Sequence, residues 1–231
     1  MADYPNSDLL ASAAWLASHL DDPGLRIVDA RSAADYAEGH IPGAVVLPER
    51  AFRSTGDIPD TCTAEEFAAT AGTLGIAQDN TVICYDAAGP MAARAWWAFA
   101  RYGHADVRFL NGGIRQWQAG GHPVSTDSPA IVAVDYTVSA QDDGLHCSLP
   151  QAVDAATHGG VFLWDVRTTD EYTGAVARNS PPDRAGHLPD AVHLEWTELV
   201  DVDTGLFKPA DEMRAILNTA GITPEAEVVA Y

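Results

Sequence analysis

Lysine is nearly absent from this chain: Lys208 is the only one among 13 basic residues, which face 33 acidic residues and leave a formal charge of −20 over 231 residues. Such a surface repels phosphate backbones and no basic stripe interrupts it, so nucleic acid is excluded as a partner. Cysteine is scarce too. Cys62, Cys84 and Cys147 are odd in number and widely scattered, which argues against a disulfide framework and a Cys-x-x-Cys metal site. The eight histidines include no His-x-x-x-His pair and no His-Glu-x-x-His, so no metal and no other cofactor is assigned. No apolar run approaches the roughly 18 to 20 residues needed to cross a bilayer. The first residues, Met1-Ala-Asp-Tyr-Pro-Asn-Ser-Asp, are acidic where a secretory or organelle presequence would be basic. The expectation is a soluble cytoplasmic protein without a membrane partner, its acidic face serving solubility.

What the chain does have is an internal repeat. Asp29-Ala-Arg31 with Tyr36 returns as Asp165-Val-Arg167 with Tyr172, a displacement of 136. Gly39-His40-Ile-Pro-Gly-Ala44 returns as Gly186-His187-Leu-Pro-Asp-Ala191, displaced by 147, so about eleven residues are inserted between the two landmarks. Gly75-Ile76 matches Gly221-Ile222 at 146, and Val82-Ile-Cys-Tyr85-Asp86 maps onto Val228-Val-Ala-Tyr231. The counterpart of Asp86 is position 232, one past the last residue. The expectation is a second unit cut short, because an end at Tyr231 would leave one face of a parallel sheet uncovered.

Periodicity gives the first unit an alternating pattern. Leu9, Leu10, Ala13, Leu16 and Leu20 lie at helical spacing over residues 8–20, with Ser7 as cap. Strands are expected over residues 25–29, 44–47, 81–85 and 107–110. A helix with a Thr63/Glu66 capping box covers residues 63–74 and another covers about 92–102. Gly112-Gly113 opens a short helix holding Trp117. This rhythm implies an α/β fold, a mostly parallel sheet with helices on both faces, whose ligands sit at the carboxyl ends of the strands. The loop that starts at Asp86 lies at such an end. Residues 1–124 then form one domain, and 125–147, rich in Ser, Asp, Pro and Gly, form a linker with one possible edge strand over 136–138. Residues 148–231 form the second domain, opening with a helix over 149–157 and a strand over 161–165.

These motifs, with Ala93-Arg94-Ala-Trp96-Trp97, Leu110-Asn-Gly-Gly113 and Arg184-Ala-Gly-His-Leu-Pro189, resemble the rhodanese family in its tandem form, the thiosulfate and 3-mercaptopyruvate sulfurtransferases. The resemblance implies two rhodanese-like domains. It also implies an activity: a cysteine immediately after the strand that residues 81–85 represent takes sulfane sulfur as a persulfide and passes it to cyanide or a thiol. The loop's N–H groups and the next helix stabilise the anionic sulfur. Asp86 stands at that place in the first unit, a poor nucleophile that would repel thiosulfate, so this unit is expected to be silent. Cys84, two residues earlier in the strand, reads as a buried structural thiol. With the nucleophile expected after Tyr231, the 231 residues alone are expected to be inactive.

For substrate binding the resemblance points to Arg167, because guanidinium suits an oxyanion donor; the inserted loop offers Arg178 and Arg184 as further substrate-binding candidates, with a plain surface loop as the more favoured reading. Structural pairing of Arg167 is the competing reading, since Arg31 occupies the same place in the silent unit. Asp29, Arg31, His40, Asp165 and His187 read as structural, and Arg94 as an anchor for its helix or for the interface between units. Mercaptopyruvate-using relatives often carry a second arginine where Thr173 stands, which favours thiosulfate. The partners implied are a small sulfur donor and a thiophilic acceptor. Two other functions compete. A noncatalytic binding module fits Asp86, whereas a phosphatase would need Cys-x5-Arg, and neither Cys84 nor Asp86 is followed by it.

Overall fold

A computed structural model of the chain describes residues 4–53, 61–87, 89–177 and 185–231, which divide into two units. One holds residues 5–146 and 203–206; the other holds Tyr4, residues 147–202 and residues 207–231.

In the first unit the strands are β1 (Leu10–Ala11), β2 (Leu25–Asp29), β3 (Ala44–Val46), β4 (Thr81–Tyr85) and β5 (Val107–Leu110). They form a parallel sheet in the order β1-β5-β4-β2-β3. The helices are α1 (Ala13–Ala17), α2 (Ala33–Glu38), α3 (Ala64–Thr73), α4 (Met91–Arg101) and α5 (Gly113–Ala119). Side chains alternate across a strand, so each strand feeds two cores. Val28, Val82, Cys84 and Val107 pack with Phe67 of α3 and Phe99 of α4. Ile27, Ile83, Tyr85 and Leu110 pack on the opposite face with Leu16 of α1, Tyr36 of α2 and Trp117 of α5. Each such fully buried aliphatic or Phe side chain contributes about 1.5–3 kcal/mol of transfer free energy.

Two expectations give way here. The helix expected over residues 8–20 is divided: Ser7–Leu9 is a 3-10 turn, Leu10–Ala11 joins the sheet edge beside Phe109 and Leu110, and α1 starts only at Ala13. Its cap is Ser12, whose hydroxyl accepts from the Trp15 amide at 3.1 Å, and not Ser7. Pairing with the open edge of β5 outweighs the helical spacing of the apolar residues. The expected linker, 125–147, is packed along the first unit and forms no strand at 136–138. The Val134 amide donates to Gly72 O at 3.0 Å, and the Asp142 amide donates to Arg101 O at 2.7 Å. Tyr136 is buried against Phe67, with its hydroxyl 3.0 Å from His104 Nδ1. A β-carbon on Gly72 would lie 2.4 Å from Val134 O, so glycine is what lets this strap lie against α3.

The second unit contains β6 (Phe162–Asp165), β7 (Val192–His193) and β8 (Val228–Ala230), parallel in the order β7-β6-β8, with α6 (Leu149–His158), α7 (Thr169–Thr173) and α8 (Ala210–Thr219). Its pairing reproduces β3-β2-β4. Ile27 pairs with Ile83 and Val28 with Val45; Leu163 pairs with Val229 and Trp164 with Val192. The three displacements of 136, 146 and 147 are therefore strand registers. No helix among the described residues is long and apolar enough to cross a membrane.

Candidate active site

At the carboxyl end of β2 the chain builds a closed polar module. The Arg31 guanidinium binds both oxygens of Asp29, with Nη2 at 2.6 Å from Oδ2, and Nη2 also donates to Gly39 O at 2.8 Å. The Tyr85 hydroxyl donates to Asp29 Oδ2 at 2.5 Å and accepts from the Ile41 amide at 3.2 Å. The Arg31 guanidinium carbon stands 5.6 Å from the centre of the Tyr85 ring. Asp29 is fully buried, so it needs this complete set of donors. Burial, then the Asp29 charge and hydrogen bond, raise the Tyr85 hydroxyl far above the ordinary tyrosine range. It stays a donor.

Asp165, Arg167 and Tyr231 repeat the module. Arg167 Nη2 lies 2.5 Å from Asp165 Oδ2 and 2.9 Å from Gly186 O. The Tyr231 hydroxyl accepts from the Leu188 amide at 2.9 Å and lies beside Asp165, whose carboxylate it helps stabilise. Burial pushes the Asp165 carboxyl upward, but the Arg167 hydrogen bonds and charge together with Tyr231 outweigh it and hold the group below its usual range.

The histidines of both turns belong to the same framework. His40 stacks on Tyr36 at 3.7 Å, with Nδ1 at 2.9 Å from Tyr36 O; His187 stacks on Tyr172 at 3.8 Å, with Nδ1 at 2.8 Å from Tyr172 O. His193 flanks the same Tyr172 ring at 4.7 Å, and its Nε2 donates to Arg167 O at 2.8 Å. Its counterpart by register is Val46, so only the second unit has this support beneath Arg167.

Beyond β4 the first unit's loop is filled by its own carboxylate. Asp86, 4% exposed, accepts from the Gly89 amide at 3.0 Å through Oδ1 and from the Ala92 amide at 2.9 Å through Oδ2. Pro90, the residue at the N-cap of α4, offers no side-chain bond, so Asp86 is what satisfies the helix end, where a negative charge is favoured. Its carbonyl accepts from the Ile114 amide at 3.0 Å. Gly113, with φ at +52°, permits that approach, since a β-carbon there would lie 2.0 Å from Asp86 O. Arg94 donates from Nη2 to Phe52 O at 3.2 Å, anchoring α4 to a residue held at φ +60°. Cys84 is fully buried, and burial first, then the Asp86 charge, push its thiol far above the ordinary range. It is a packing residue. Arg178 and Arg184 lie outside the described residues, and Thr173 closes α7 with its hydroxyl on Asp170 O at 3.3 Å. Among the described residues no group of three His, Cys, Asp or Glu side chains is arranged to hold a metal.

Sequence reasoning did not anticipate His193 or the two tyrosine hydroxyls. Both tyrosines end the repeated Val-x-x-Tyr strand, which was the available signal, and His193 stands out by having no counterpart.

Residues 12–120 match the model of the rhodanese-like domain. The sulfur carrier protein TtuD of Thermus thermophilus is 34% identical over 99% of this chain and 83% of its own length. The thiosulfate sulfurtransferase of Corynebacterium glutamicum is 32% identical over 99% of this chain and 78% of its own length. Among solved structures, SseA of Escherichia coli, described as having the rhodanese fold of 3-mercaptopyruvate sulfotransferases, superposes with a TM-score of 0.84 at 29% identity. That match covers 96% of this chain and 87% of that one.

Proposed function

The chain belongs to the rhodanese family, and on that premise we propose that it moves sulfane sulfur from thiosulfate to a thiophilic acceptor through a cysteine persulfide at the position following Tyr231. The thiolate attacks the outer sulfur of thiosulfate. The sulfur–sulfur bond breaks, sulfite leaves with the electron pair, and cyanide or a thiolate then takes the outer sulfur and restores the cysteine thiolate. Arg167, Arg178 and Arg184 serve as the cationic groups for the donor's oxygens. Thr173 in place of a further arginine favours thiosulfate over a carboxylate donor such as 3-mercaptopyruvate.

The observation that carries the reading is the contrast between two copies of one module. In the first, the residue after the tyrosine is Asp86, whose carboxylate already occupies the amides a persulfide would use; that unit is the silent one. The second copy keeps the module, with Arg167 on Asp165 and on Gly186 O. A noncatalytic binding protein is the second reading, drawing on the sealed Asp86 loop.

The test is thiocyanate formation from thiosulfate and cyanide. It compares the 231 residues with the same chain continued past Tyr231 through a cysteine and a complete loop and helix. Transfer is expected from the continued chain alone. Transfer by the 231 residues that Cys84→Ser abolishes would overturn the persulfide assignment. No transfer from either form would leave the binding reading in possession.

A further inference from the structure

We propose that Tyr231 is a positioning residue for the transfer reaction: its hydroxyl, bonded to the Leu188 amide, fixes the first residue of the loop that follows. This rests on the reading above, in which that residue carries the sulfur.

Tyr231 is held through every polar group it has. Its amide donates to Trp164 O at 3.0 Å, and its carbonyl accepts from the Val166 amide at 3.1 Å. The hydroxyl takes the Leu188 amide at 2.9 Å, and Arg167 stands over the ring at 5.2 Å from its centre. The backbone bonds tie Tyr231 to β6 and the chain just after it. Only the hydroxyl reaches the Gly186-His187-Leu188 turn that leads into β7 and brings it into register with the end of β8. A backbone ladder of three strand residues allows the last one to fray. The side-chain bond removes that freedom at the point where the reacting atom must be placed to within a fraction of an ångström.

The first unit displays the result of the same clamp. Tyr85 is held by Asp29 and the Ile41 amide, its carbonyl takes the Ala30 amide at 2.8 Å, and the next residue, Asp86, is delivered with its carboxylate on Gly89 N and Ala92 N. Two copies of one clamp, with a reacting residue beyond only one of them, make a built-in control.

The experiment pairs Tyr231→Phe with Tyr85→Phe in the chain continued past Tyr231 through its cysteine. It records thiosulfate:cyanide kinetics, single-turnover persulfide formation by mass spectrometry, and the thermal transition. Tyr231→Phe is expected to lower kcat and the persulfide-formation rate about tenfold, with KM for thiosulfate within about twofold. Tyr85→Phe is expected to lower the thermal midpoint comparably and leave both rates unchanged. Equal rate losses in the two variants, or unchanged rates in Tyr231→Phe beside an active parent, would overturn the positioning role. If Tyr231→Phe does not fold, Leu188→Pro, which removes the amide donor together with the leucine side chain and fixes the backbone there, takes its place with the same expectations. An inactive parent would instead overturn the sulfur-transfer reading, and the inference with it.

Discussion

Removing the Asp86 carboxylate is the sharpest test of how the silent loop is built. Asp86→Ala deletes the acceptors of the Gly89 and Ala92 amides at 3.0 and 2.9 Å. Ala92 is fully buried, so its N–H loses its partner where water has no ready access. An unsatisfied buried group costs about 1–3 kcal/mol. Losing a negative charge at a helix N-terminus adds about 0.3–1 kcal/mol. With Gly89 nearer solvent and contributing less, the expected loss for Asp86→Ala is about 2–4 kcal/mol. For a unit of this size that corresponds to a fall of roughly 10 °C in the thermal midpoint. Asp86→Asn keeps one carbonyl acceptor but turns an amino group toward the other N–H, and about half of that loss is expected. The assay is a thermal transition followed by tryptophan fluorescence, with amide exchange read at Ala92. A midpoint that moves by less than about 2 °C with unchanged exchange at Ala92 would refute the account of Asp86 as the remote cap of α4.

Three further outcomes are expected. Arg167→Met should cost about 2–3 kcal/mol at neutral pH, below the range for a fully buried pair because part of the guanidinium is exposed. Asp165 has a depressed folded-state pKa, so its stabilisation is present above the unfolded value near about 3.9 and is lost as pH falls through the folded one. Without Arg167 the acid unfolding midpoint of the second unit, read by circular dichroism, should move to higher pH. His104 is lowered chiefly by burial, against the opposing pull of the Asn80 carbonyl, Asp106 and Asp79. Stability of the first unit should therefore be full above about pH 6.5 and decline as pH falls toward the folded value. Urea midpoints measured across that window should lose this slope in His104→Gln. Gly113→Ala should cost at least about 3 kcal/mol, since the new β-carbon meets Asp86 O in a left-handed position. Gly121→Ala, with nothing within 4 Å of the added carbon, should cost only about 1 kcal/mol of backbone strain. Equal denaturation midpoints for the two glycine variants would contradict the close approach.

The repeat was legible in the sequence because its landmarks are residues with unforgiving environments. A buried Asp29 or Asp165 requires its arginine two residues on, and the following turn must offer a carbonyl to that arginine, so the pattern recurs with its spacing. The inserted loop changed one displacement and left the strand registers intact. The start of the chain was not legible. A two-residue strand such as β1 carries no periodicity of its own, and Leu9, Leu10 and Ala13 fit a helix equally well until β5 offers an edge. The strap was hidden for a related reason: its partners, Gly72, Arg101 and His104, lie far away in sequence, and its Ser, Pro and Asp content reads as linker whether or not it is packed. The tyrosine hydroxyls were invisible because their partners arrive from the ends of other strands.

Asp86 also shows why a silent copy can keep its fold so closely. A loop that presents backbone N–H groups to an anionic sulfur at the start of a helix is strained when empty, because those donors have lost water and gained nothing. A carboxylate at the same position supplies a permanent anion from within the chain. An aspartate at this position therefore stabilises the loop by supplying the anion that its donors require. On the reading proposed above, a copy that carries the sulfur leaves those donors open for a charge that comes and goes with each turnover, at a cost in stability. On this argument the module of Asp, Arg and Tyr is architecture common to both units, and on the reading proposed above the two differ in the single residue that the tyrosine delivers to the loop.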